Sequence, residues 1–581
     1  MLRNLGNINT SRKEGSVNQF GWLVFILSVL LTLPWIGLGN FYTRGEPREA
    51  LVAVEMLEQG NFILPFFQGE FAFKPPMLHW LVALFSLPQG YVSEITARLP
   101  SALACIVMCC AFYSFVSKRF SPSRSFYASL ILMSCFEVHR AAMTCRVDMV
   151  LTMFIVLAFL ALYRWHEKGY KGMPWLASLA ISGAILTKGP IGAILPCFAL
   201  FVFMLFYREK WSRILLVLVK ISLLSVIIPL VWYVAAYRQG GDVFLRLVME
   251  ENFGRFLGKM SYESHENTFL VNFVMIASGM LPWSLLVVLG LVTAKWNRLK
   301  SGKKWIAEQW QRFRAANPLI VFTVVTAVCV FVFYCIPASK RSVYLLPMYP
   351  FMSLLMANYM VDLYLERKKI LKIYAVFLAV VSLIYIALLY AVHFMDLSVL
   401  GTSRGALRLI AQMTELQTTD IRFLYIVLTL LPTVVAVAVL VGVRHWKNVL
   451  FGVATLWLLV TLTLDGLLLP AIKNSVPDCH FARSVKALQP EGDIYFFRPA
   501  GQKEEAIYTV SFYLGDCVVS CNEETAYPEK GFAMFRETNK DKFLSDMAAK
   551  GYQTEEKLRT LNEFTSIRCN ILLYEFSKIK E

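Results

Sequence analysis

The sequence predicts an α-helical polytopic membrane protein that carries a small C-terminal α/β domain. The chain of 581 residues is 57% hydrophobic and only 17% charged, and its mean hydropathy is +0.55. Apolar runs such as Trp22–Leu38 and Leu424–Val443 are long enough to cross a hydrocarbon core of about 30 Å. Helices satisfy their own backbone hydrogen bonds in a bilayer, and these runs are too long and continuous for barrel strands.

The basic residues indicate the membrane topology. The net charge of +17 is spread over the gaps between apolar runs, which argues against a nucleic-acid-binding protein. With residues 1–19 in the cytoplasm, about thirteen spans place the strongly basic loops on the cytoplasmic side. The C-terminus then lies on the outer, periplasmic side. The predicted spans are 20–39, 97–117, 122–140, 147–164, 174–188, 190–206, 213–236, 269–292, 318–336, 343–363, 370–393, 422–442 and 447–470.

The apolar segment 76–90 is predicted to be an interfacial helix that does not cross the membrane. It is short and follows Pro75-Pro76. Counting it as a span would move Lys118-Arg119 to the outer side and reverse several later loops. The first apolar run lacks a clear small-residue cleavage site, so it is interpreted as a span rather than a signal peptide.

The chain divides into a cytoplasmic N-terminus at 1–19, a transmembrane domain at 20–472 and a soluble domain at 473–581. The main outer loops of the transmembrane domain are 40–75 and 237–268. In the soluble domain, Asp493–Phe497 and Ile571–Tyr574 predict strands and Phe543–Lys550 predicts a helix. Outside the cytoplasm, disulfides are permitted among its four cysteines. They are Cys479, Cys517, Cys521 and Cys569.

Residues that could carry chemistry collect in the outer loops. Glu46 and Arg48 follow the first span, either as a general base with a cation that keeps it ionised or as an ordinary helix N-terminal turn. Lys74, before the double proline, is either a phosphate anchor or a lysine that snorkels to the interface. Asp148 opens a span beside Arg146, which suits either a functional carboxylate or a structural charge pair.

Cations on the outer side run against the positive-inside bias, and they imply an anionic partner such as a lipid phosphate. A carboxylate beside such cations suggests group transfer from that phosphate. No HxxxH or CxxC spacing predicts a metal site, and a lone histidine such as His265 is more typical of a surface. The outer cations are Lys74, Arg146, Lys188, Arg255, Lys340 and Arg341.

These motifs, in this order, resemble the GT-C glycosyltransferases of the aminoarabinose–lipid A transferase and protein O-mannosyltransferase superfamily. Members use polyprenyl-phosphate sugars, and the resemblance covers nearly the whole chain. Each motif is weak alone, and their order, spacing and shared side of the membrane carry the comparison. The motifs are Gly45-Glu46-Pro47-Arg48-Glu49-Ala50, Lys74-Pro75-Pro76, Arg146-Val147-Asp148, Leu186-Thr187-Lys188-Gly189-Pro190, the loop from Asn252 to His265, and Ser339-Lys340-Arg341 with Tyr344.

The resemblance implies a role for each matching position. Many members have Asp-Glu in the first loop, and here Gly45 replaces the Asp, so Glu46 becomes the expected base. Arg48 matches the family's arginine, and Asp148 matches a second functional carboxylate.

The resemblance also implies how the lipid phosphate is bound. Lys74 is expected to contact the donor phosphate, and Tyr344 resembles a phosphate-binding group together with Lys340 or Arg341. In the aminoarabinose transferases a Glu before the lysine helps to hold a metal, and here that residue is Phe73. A divalent metal therefore stays open, with His265 at a matching loop position.

The expected function is a glycosyltransferase of the bacterial inner membrane. It would transfer a sugar from a polyprenyl-phosphate donor to a lipid A, glycan or protein acceptor, with Arg255 among the residues that bind the phosphate. The main alternative is a transporter or flippase of lipid-linked saccharides, which would need a polar path through the bilayer and repeated halves. A third class is a receptor or scaffold built around the C-terminal domain. The sequence specifies neither the sugar nor the acceptor.

Overall fold

The chain is a bundle of apolar helices followed by a small α/β domain, as the sequence predicts. A computed structural model describes residues 14–43, 45–67, 70–72, 74–254, 267–293, 302–401, 403–442, 446–488, 490, 492–500, 507–515, 517–560 and 569–579.

The first ten helices contain four of the residues predicted to be functional, namely Glu46, Arg48, Asp148 and Lys188. These helices are α1 Glu14–Thr32, α2 Gly45–Gln59, α3 Met77–Ser86, α4 Glu94–Val116, α5 Pro122–Ser134, α6 Phe136–Ala142, α7 Val147–Glu167, α8 Trp175–Lys188, α9 Ile191–Phe206 and α10 Trp211–Met249. A short hairpin lies between α2 and α3, and each of its strands, β1 Phe66–Phe67 and β2 Glu70–Phe71, has two residues.

The later membrane-domain helices are Val271–Gly279, Trp283–Val292, Gly302–Arg314, Pro318–Cys335, Tyr349–Glu366, Lys368–Phe394, Arg404–Gln417, Phe423–Gly442, Trp446–Thr463 and Leu469–Asn474. Short π- or 3₁₀-helical segments lie at Glu250–Gly254, Ser342–Met348, Leu397–Leu400 and Leu464–Leu468.

Every predicted span contains helix, but the helices differ in length. Among the described residues, seven helices are long and apolar enough to cross a membrane, or eight if a pair bent by 114° counts as one span. That pair, Val271–Gly279 and Trp283–Val292, lies within the predicted span 269–292. The interfacial segment forms α3, which at ten residues is too short to cross the bilayer alone.

Several predicted boundaries differ from the structure, and the largest difference is at the end of the span 213–236. The span predicted to end at residue 236 continues as α10 to Met249, so the start of the predicted loop 237–268 is helical. The helix kinks at Gly241, where φ is +53°. Apolar residues such as Val243 and Leu245 continue past the kink, so the helix extends beyond the predicted end of the span.

Three of the basic loops predicted to share one side, those near residues 119, 168 and 210, meet at one end of the bundle. Arg119 pairs with Glu167 there, and Arg213 Nη2 donates to the carbonyl of Gly169 at 2.8 Å. Arg98, at the start of α4, lies at the opposite end of the same helix as Arg119. This opposite end, called the site end below, therefore contains the loops predicted to face outwards.

Burial differs sharply between the helices. In α7, 78% of an apolar stretch of 18 residues is buried inside the bundle, against 28% of the corresponding stretch in the long helix that includes α10. Phe159 of α7 packs against Phe322 and Phe351, with ring centroids 6.4 and 5.5 Å apart. The bundle is therefore centred on α7, and α10 presents an apolar flank such as lipid chains cover.

The C-terminal domain has a five-stranded mixed sheet with helices on both faces. Its strands are β3 Ile494–Phe497, β4 Val518–Cys521, β5 Lys530–Arg536, β6 Tyr552–Arg559 and β7 Ile571–Lys578, in the order β4-β3-β5-β7-β6. Strand β3 is parallel to β4 and β5, and β7 is antiparallel to β5 and β6. The domain's helices are Pro477–Ala487, Tyr508–Leu514 and Lys540–Ala549.

Alternating residues of β7 explain why both faces are covered. Ile571 and Leu573 join one apolar cluster, whereas Leu572 and Tyr574 join the other. The predicted strands and helix are all present. The four cysteines of this domain, for which disulfides were permitted, form no disulfide within the part of the chain that the structure describes.

The C-terminal domain docks on the loop between α1 and α2. The hydroxyl of Tyr513 accepts a hydrogen bond from the backbone N–H of Phe41 at 2.9 Å and donates to Oε1 of Glu94 at 2.7 Å. The rings of Phe41 and Phe512 are 4.7 Å apart. Arg483 donates to Oδ1 of Asn40 at 3.0 Å. These contacts tie the domain to the loop that leads into α2.

Candidate active site

Glu46 anchors the start of α2 rather than facing an open site. Pro47 fits the first turn of the helix, where no backbone N–H is needed. The Glu46 side chain is buried, and its Oε1 accepts hydrogen bonds from Arg98 Nε at 2.9 Å and the backbone N–H of Cys145 at 3.2 Å. Burial raises the pKa of Glu46, but the charges of Arg98 and Lys473 and the hydrogen bonds from Arg98 and Cys145 together lower it below its usual value.

Arg98 is itself held by the loop that precedes α2. Its guanidinium donates to the carbonyls of Ile36, Gly39 and Asn40 at 2.8, 2.6 and 3.0 Å. A carboxylate fixed in this way joins α1, α2 and α4. Glu46, the expected base, is therefore held by Arg98 and the backbone N–H of Cys145.

Glu49 is the carboxylate of α2 that is paired with Arg48 and Lys74, and it is not among the residues predicted from the sequence. Its Oε1 accepts hydrogen bonds from Arg48 Nη2 at 2.8 Å and from Lys74 Nζ. Its Oε2 lies 3.0 Å from Nε2 of His79, which is buried on α3. Burial would raise the pKa of Glu49, but the charges of Lys74 and Arg48 hold it well below its usual value.

Lys74 is placed by the turn that leads from β2 into α3. Its ammonium group bonds Glu49 and is only partly exposed. Burial, together with the nearby charge of Arg48, lowers the pKa of Lys74 to about 8. Lys74 is therefore a cation of the site end, as the phosphate-anchor interpretation requires.

Asp148 and Lys188 form a second charge pair. The Nζ of Lys188 lies 2.5 Å from Oδ1 of Asp148 and 4.4 Å from the centre of the Tyr344 ring. Gly189, which ends α8, has a φ of +77°, and a Cβ there would lie 2.7 Å from Oδ1 of Asn252. Glycine thus allows the turn that leaves Lys188 at the site end.

Arg146 fills the space beside Gly45. A Cβ on Gly45 would lie only 2.8 Å from Nη2 of Arg146, so a larger residue would displace the guanidinium. The buried Nε atoms of Arg146 and Arg341 have no hydrogen-bond partner among the described residues. Both arginines can therefore donate to a bound anion.

The two pairs belong to one charged cluster. Lys74 and Arg146 are close enough to Asp148 for their charges to interact with it, and Arg48 lies beside Lys74. The charged cluster comprises Arg48, Glu49, Lys74, Arg146, Asp148 and Lys188. The charge of Glu251 also acts on Arg48 and Lys74. Four cations then face three carboxylates, and the remaining excess of one positive charge favours binding of a phosphate.

Lys340 does not join this cluster. Its buried ammonium donates to the carbonyls of Tyr334 at 3.2 Å, Cys335 at 2.8 Å and Pro337. These carbonyls lie at and just beyond the end of the helix Pro318–Cys335, so the lysine caps the helix C-terminus. The structure therefore leaves Arg341, and not Lys340, as the cation of that loop that can reach an anion.

Two predicted residues, Arg255 and His265, lie outside the described residues, as does Phe73. The parts of the chain that the structure describes contain no group of three His, Cys, Asp or Glu side chains that could hold a metal ion. The phenyl group of Phe73 has no metal-binding atom, so that position does not fit the metal site of the aminoarabinose transferases. No chemical step is derived through a metal here.

Comparisons with known proteins agree with this architecture. The family model for dolichyl-phosphate-mannose-protein mannosyltransferase matches residues 73–233. An undecaprenyl phosphate-alpha-4-amino-4-deoxy-L-arabinose arabinosyl transferase of Shewanella sediminis is 24% identical over 381 residues, which are 63% of this chain and 65% of that protein. An uncharacterized protein of Aquifex aeolicus is 27% identical over 355 residues, 60% of this chain and 65% of that protein. The match thus spans a little under two thirds of these curated relatives.

The similarity to a solved structure covers nearly the whole chain. The crystal structure of ArnT from Cupriavidus metallidurans bound to undecaprenyl phosphate superposes with a TM-score of 0.68 at 18% identity. The superposition covers 97% of this chain and 98% of that one. The C-terminal domain is therefore part of the shared fold.

Proposed function

The chain has the fold of the GT-C glycosyltransferase superfamily, and from that premise we propose that it is a membrane glycosyltransferase that uses a polyprenyl-phosphate sugar donor. The observation that carries this proposal is the charged cluster at the site end of the bundle. It combines an excess of cations, which a lipid phosphate requires, with carboxylates, which an acceptor requires. The relatives' names describe transfer from such donors.

The cations would stabilise the leaving phosphate. Lys74, Lys188 and Arg146 come from the loop before α3, the end of α8 and the start of α7, and the charges of all three act on Asp148. Arg341 and Tyr344 add a donor from the segment before Tyr349–Glu366. As the bond from the sugar to the phosphate breaks, negative charge grows on the phosphate, and preplaced cations lower the barrier most at that point.

Asp148 would serve as a second carboxylate of the site. Its pairing with Lys188 holds that ammonium in position at the C-terminal end of α8. An acidic residue next to the phosphate cations can also bind sugar or acceptor hydroxyls, which donate hydrogen bonds to carboxylates. The polyprenyl chain would lie along the apolar helices of the membrane domain, several of which are mostly unburied in the bundle.

The proposed location is the bacterial inner membrane, with the N-terminus in the cytoplasm, the site end in the periplasm and the C-terminal domain beside it. The proposed acceptors are lipid A, a glycan or a protein. Arabinosyl transfer in relatives and mannosyl transfer in the matching family show that this fold accepts different sugars. Gly45 and Phe73 replace residues that the resemblance implies for the aminoarabinose transferases, so the proposal does not include aminoarabinose transfer itself.

A deletion strain tests the proposed function and identifies the acceptor. Mass spectrometry of its lipid A, surface glycans and periplasmic proteins should show the loss of one glycosyl mass. A plasmid with the wild-type gene should restore it, and Lys188→Met should not. Lys118→Met, at the other end of the bundle, is the matched control and should restore it. An unchanged glycosylation profile together with accumulated intact lipid-linked sugar would favour a flippase instead.

A further inference from the structure

Helix α2 carries two inward-facing carboxylates with different partners. Glu46 is bonded by Arg98, whose guanidinium is fixed by three carbonyls. Glu49, three residues later, is bonded by Lys74 and Arg48. The charges of these two residues lie at the ends of long side chains, and both residues belong to the charged cluster. A bound phosphate would compete with Glu49 for these cations but not with Glu46 for Arg98.

We propose that Glu49 is the carboxylate that receives the proton of the acceptor hydroxyl, and that the donor phosphate frees it by taking over Lys74. This inference rests on the proposed glycosyl transfer and adds the residue that activates the acceptor. It also ties that activation to donor binding, since the same lysine contacts both anions.

His79 keeps Glu49 oriented when Lys74 moves. Its Nε2 lies 3.0 Å from Oε2 of Glu49, on the other oxygen from the one that Lys74 bonds. A neutral imidazole protonated on Nε2 donates to the carboxylate without adding a charge. Oε1 of Glu49 then loses the bond from Lys74 and keeps the one from Arg48, while Oε2 stays fixed by His79.

The other carboxylates are less suited to this step. Glu46 and Glu49 are both buried, but the partner of Glu46 is Arg98, which the carbonyls of Ile36, Gly39 and Asn40 hold in place, so a phosphate cannot take it away as it could take Lys74. For Asp148, the described hydrogen bond to the carboxylate comes from Lys188 at 2.5 Å. No neutral donor comparable to His79 holds Asp148 among the described residues, so it has no support of its own once Lys188 turns to a phosphate.

The proposed step is balanced in atoms and charge. The acceptor oxygen attacks the anomeric carbon of the donor sugar, and a new glycosidic C–O bond forms. The bond from that carbon to the phosphate oxygen breaks, and its electron pair leaves with the polyprenyl phosphate. The acceptor proton passes to Glu49. One negative charge thus moves from Glu49 to the phosphate, and Lys74 stabilises it in both places.

The electrostatics of Glu49 support this sequence of events. Burial favours the neutral acid, and the charges of Lys74 and Arg48 oppose it and hold the pKa of Glu49 well below its usual value. Moving Lys74 onto a phosphate weakens that opposition and makes the carboxylate a stronger base. Glu49 would therefore accept a proton only after the donor has bound.

The variants Glu49→Gln and Glu49→Asp test the inference, with Glu58→Gln as the matched control on the exposed face of α2. Purified proteins in nanodiscs are given a labelled polyprenyl-phosphate sugar and membranes from the deletion strain as acceptor. Glu49→Gln should lose transfer by about 100-fold or more. It should bind polyprenyl phosphate at pH 6.5 at least as tightly as wild type, because a competing anion is gone. Glu49→Asp should recover part of the transfer with a shifted pH profile.

Two results would overturn the inference while the proposed function stands. One is transfer by Glu49→Gln within about threefold of wild type. The other is loss of both transfer and polyprenyl-phosphate binding together with a lower unfolding temperature, which a purely structural role would produce. If the wild-type protein fails to consume the donor, the proposed function itself fails, and this inference fails with it.

Discussion

Glu46 and Arg98 form a buried ion pair, with Arg98 Nε 2.9 Å from Oε1 of Glu46, at the point where the first loop enters α2. The pair fixes the loop and the helix that carries Glu49. Glu46 thus holds helix α2 in place, whereas Glu49, three residues later, is the carboxylate proposed to face the substrate.

Glu46→Gln should therefore destabilise the protein rather than act on the chemical step alone. Removing one partner of a buried ion pair leaves an uncompensated charge and costs about 3–5 kcal/mol. The measurement is the thermal unfolding midpoint of the purified protein, with Glu58→Gln as control. A Glu46→Gln protein that unfolds like wild type and binds polyprenyl phosphate but has lost transfer would restore Glu46 as the base.

Lys188→Met should weaken the binding of polyprenyl phosphate by about 10- to 100-fold, since a hydrogen bond from a charged group contributes about 1.5–3 kcal/mol. Binding can be followed with a fluorescent polyprenyl phosphate in nanodiscs. Lys118→Met is the control, because Lys118 is an exposed lysine at the opposite end of the bundle. Equal affinities of the two variants would remove Lys188 from the phosphate site.

Polyprenyl-phosphate binding should decrease as pH rises through about 8, because burial lowers the pKa of Lys74 to about 8. Only protonated Lys74 attracts the phosphate, so the charge is present below that pH and lost above it. Lys74→Arg keeps its charge at every pH used, and its binding should be flat from pH 6.5 to 9 on the scale of its own maximum. The same decline in Lys74→Arg would assign it to another group.

Tyr513→Phe should loosen the contact between the C-terminal domain and the loop before α2. The change leaves the N–H of Phe41 and the carboxylate of Glu94 without this hydroxyl, at a cost of about 1–3 kcal/mol for a buried group left unsatisfied. Hydrogen exchange of residues 40–50 should become faster, and transfer should fall. Tyr91→Phe, at an exposed tyrosine, is the control. Unchanged exchange would show that this bridge does not position α2.

The sequence predicted the helices and the shared end of the functional residues because hydropathy and charge placement are local signals. It could not separate Glu46 from Glu49, since the difference depends on Arg98, 52 residues away from Glu46 along the chain. Glu49 could have been suspected from the helical spacing of α2, which puts residues three apart on neighbouring positions of one face. Its partner Lys74, however, becomes adjacent only in the folded chain.

Lys340 shows the same limit from the other direction. A lysine beside an arginine on the outer side suggested a phosphate contact, but its ammonium caps a helix end through carbonyls that are three to six residues away. The sequence pattern reports which charges lie on one side of the membrane, and the fold decides which of them are already bound to the backbone.

The most direct test of glycosyl transfer through Glu49 is to follow a doubly labelled polyprenyl-phosphate sugar with the purified protein and its acceptor membranes. With the wild-type protein, polyprenyl phosphate and a glycosylated acceptor should appear in equal amounts. Glu49→Gln should bind the donor without releasing either product. Passage of the intact donor across proteoliposomes, with no free polyprenyl phosphate and no labelled acceptor, would contradict glycosyl transfer.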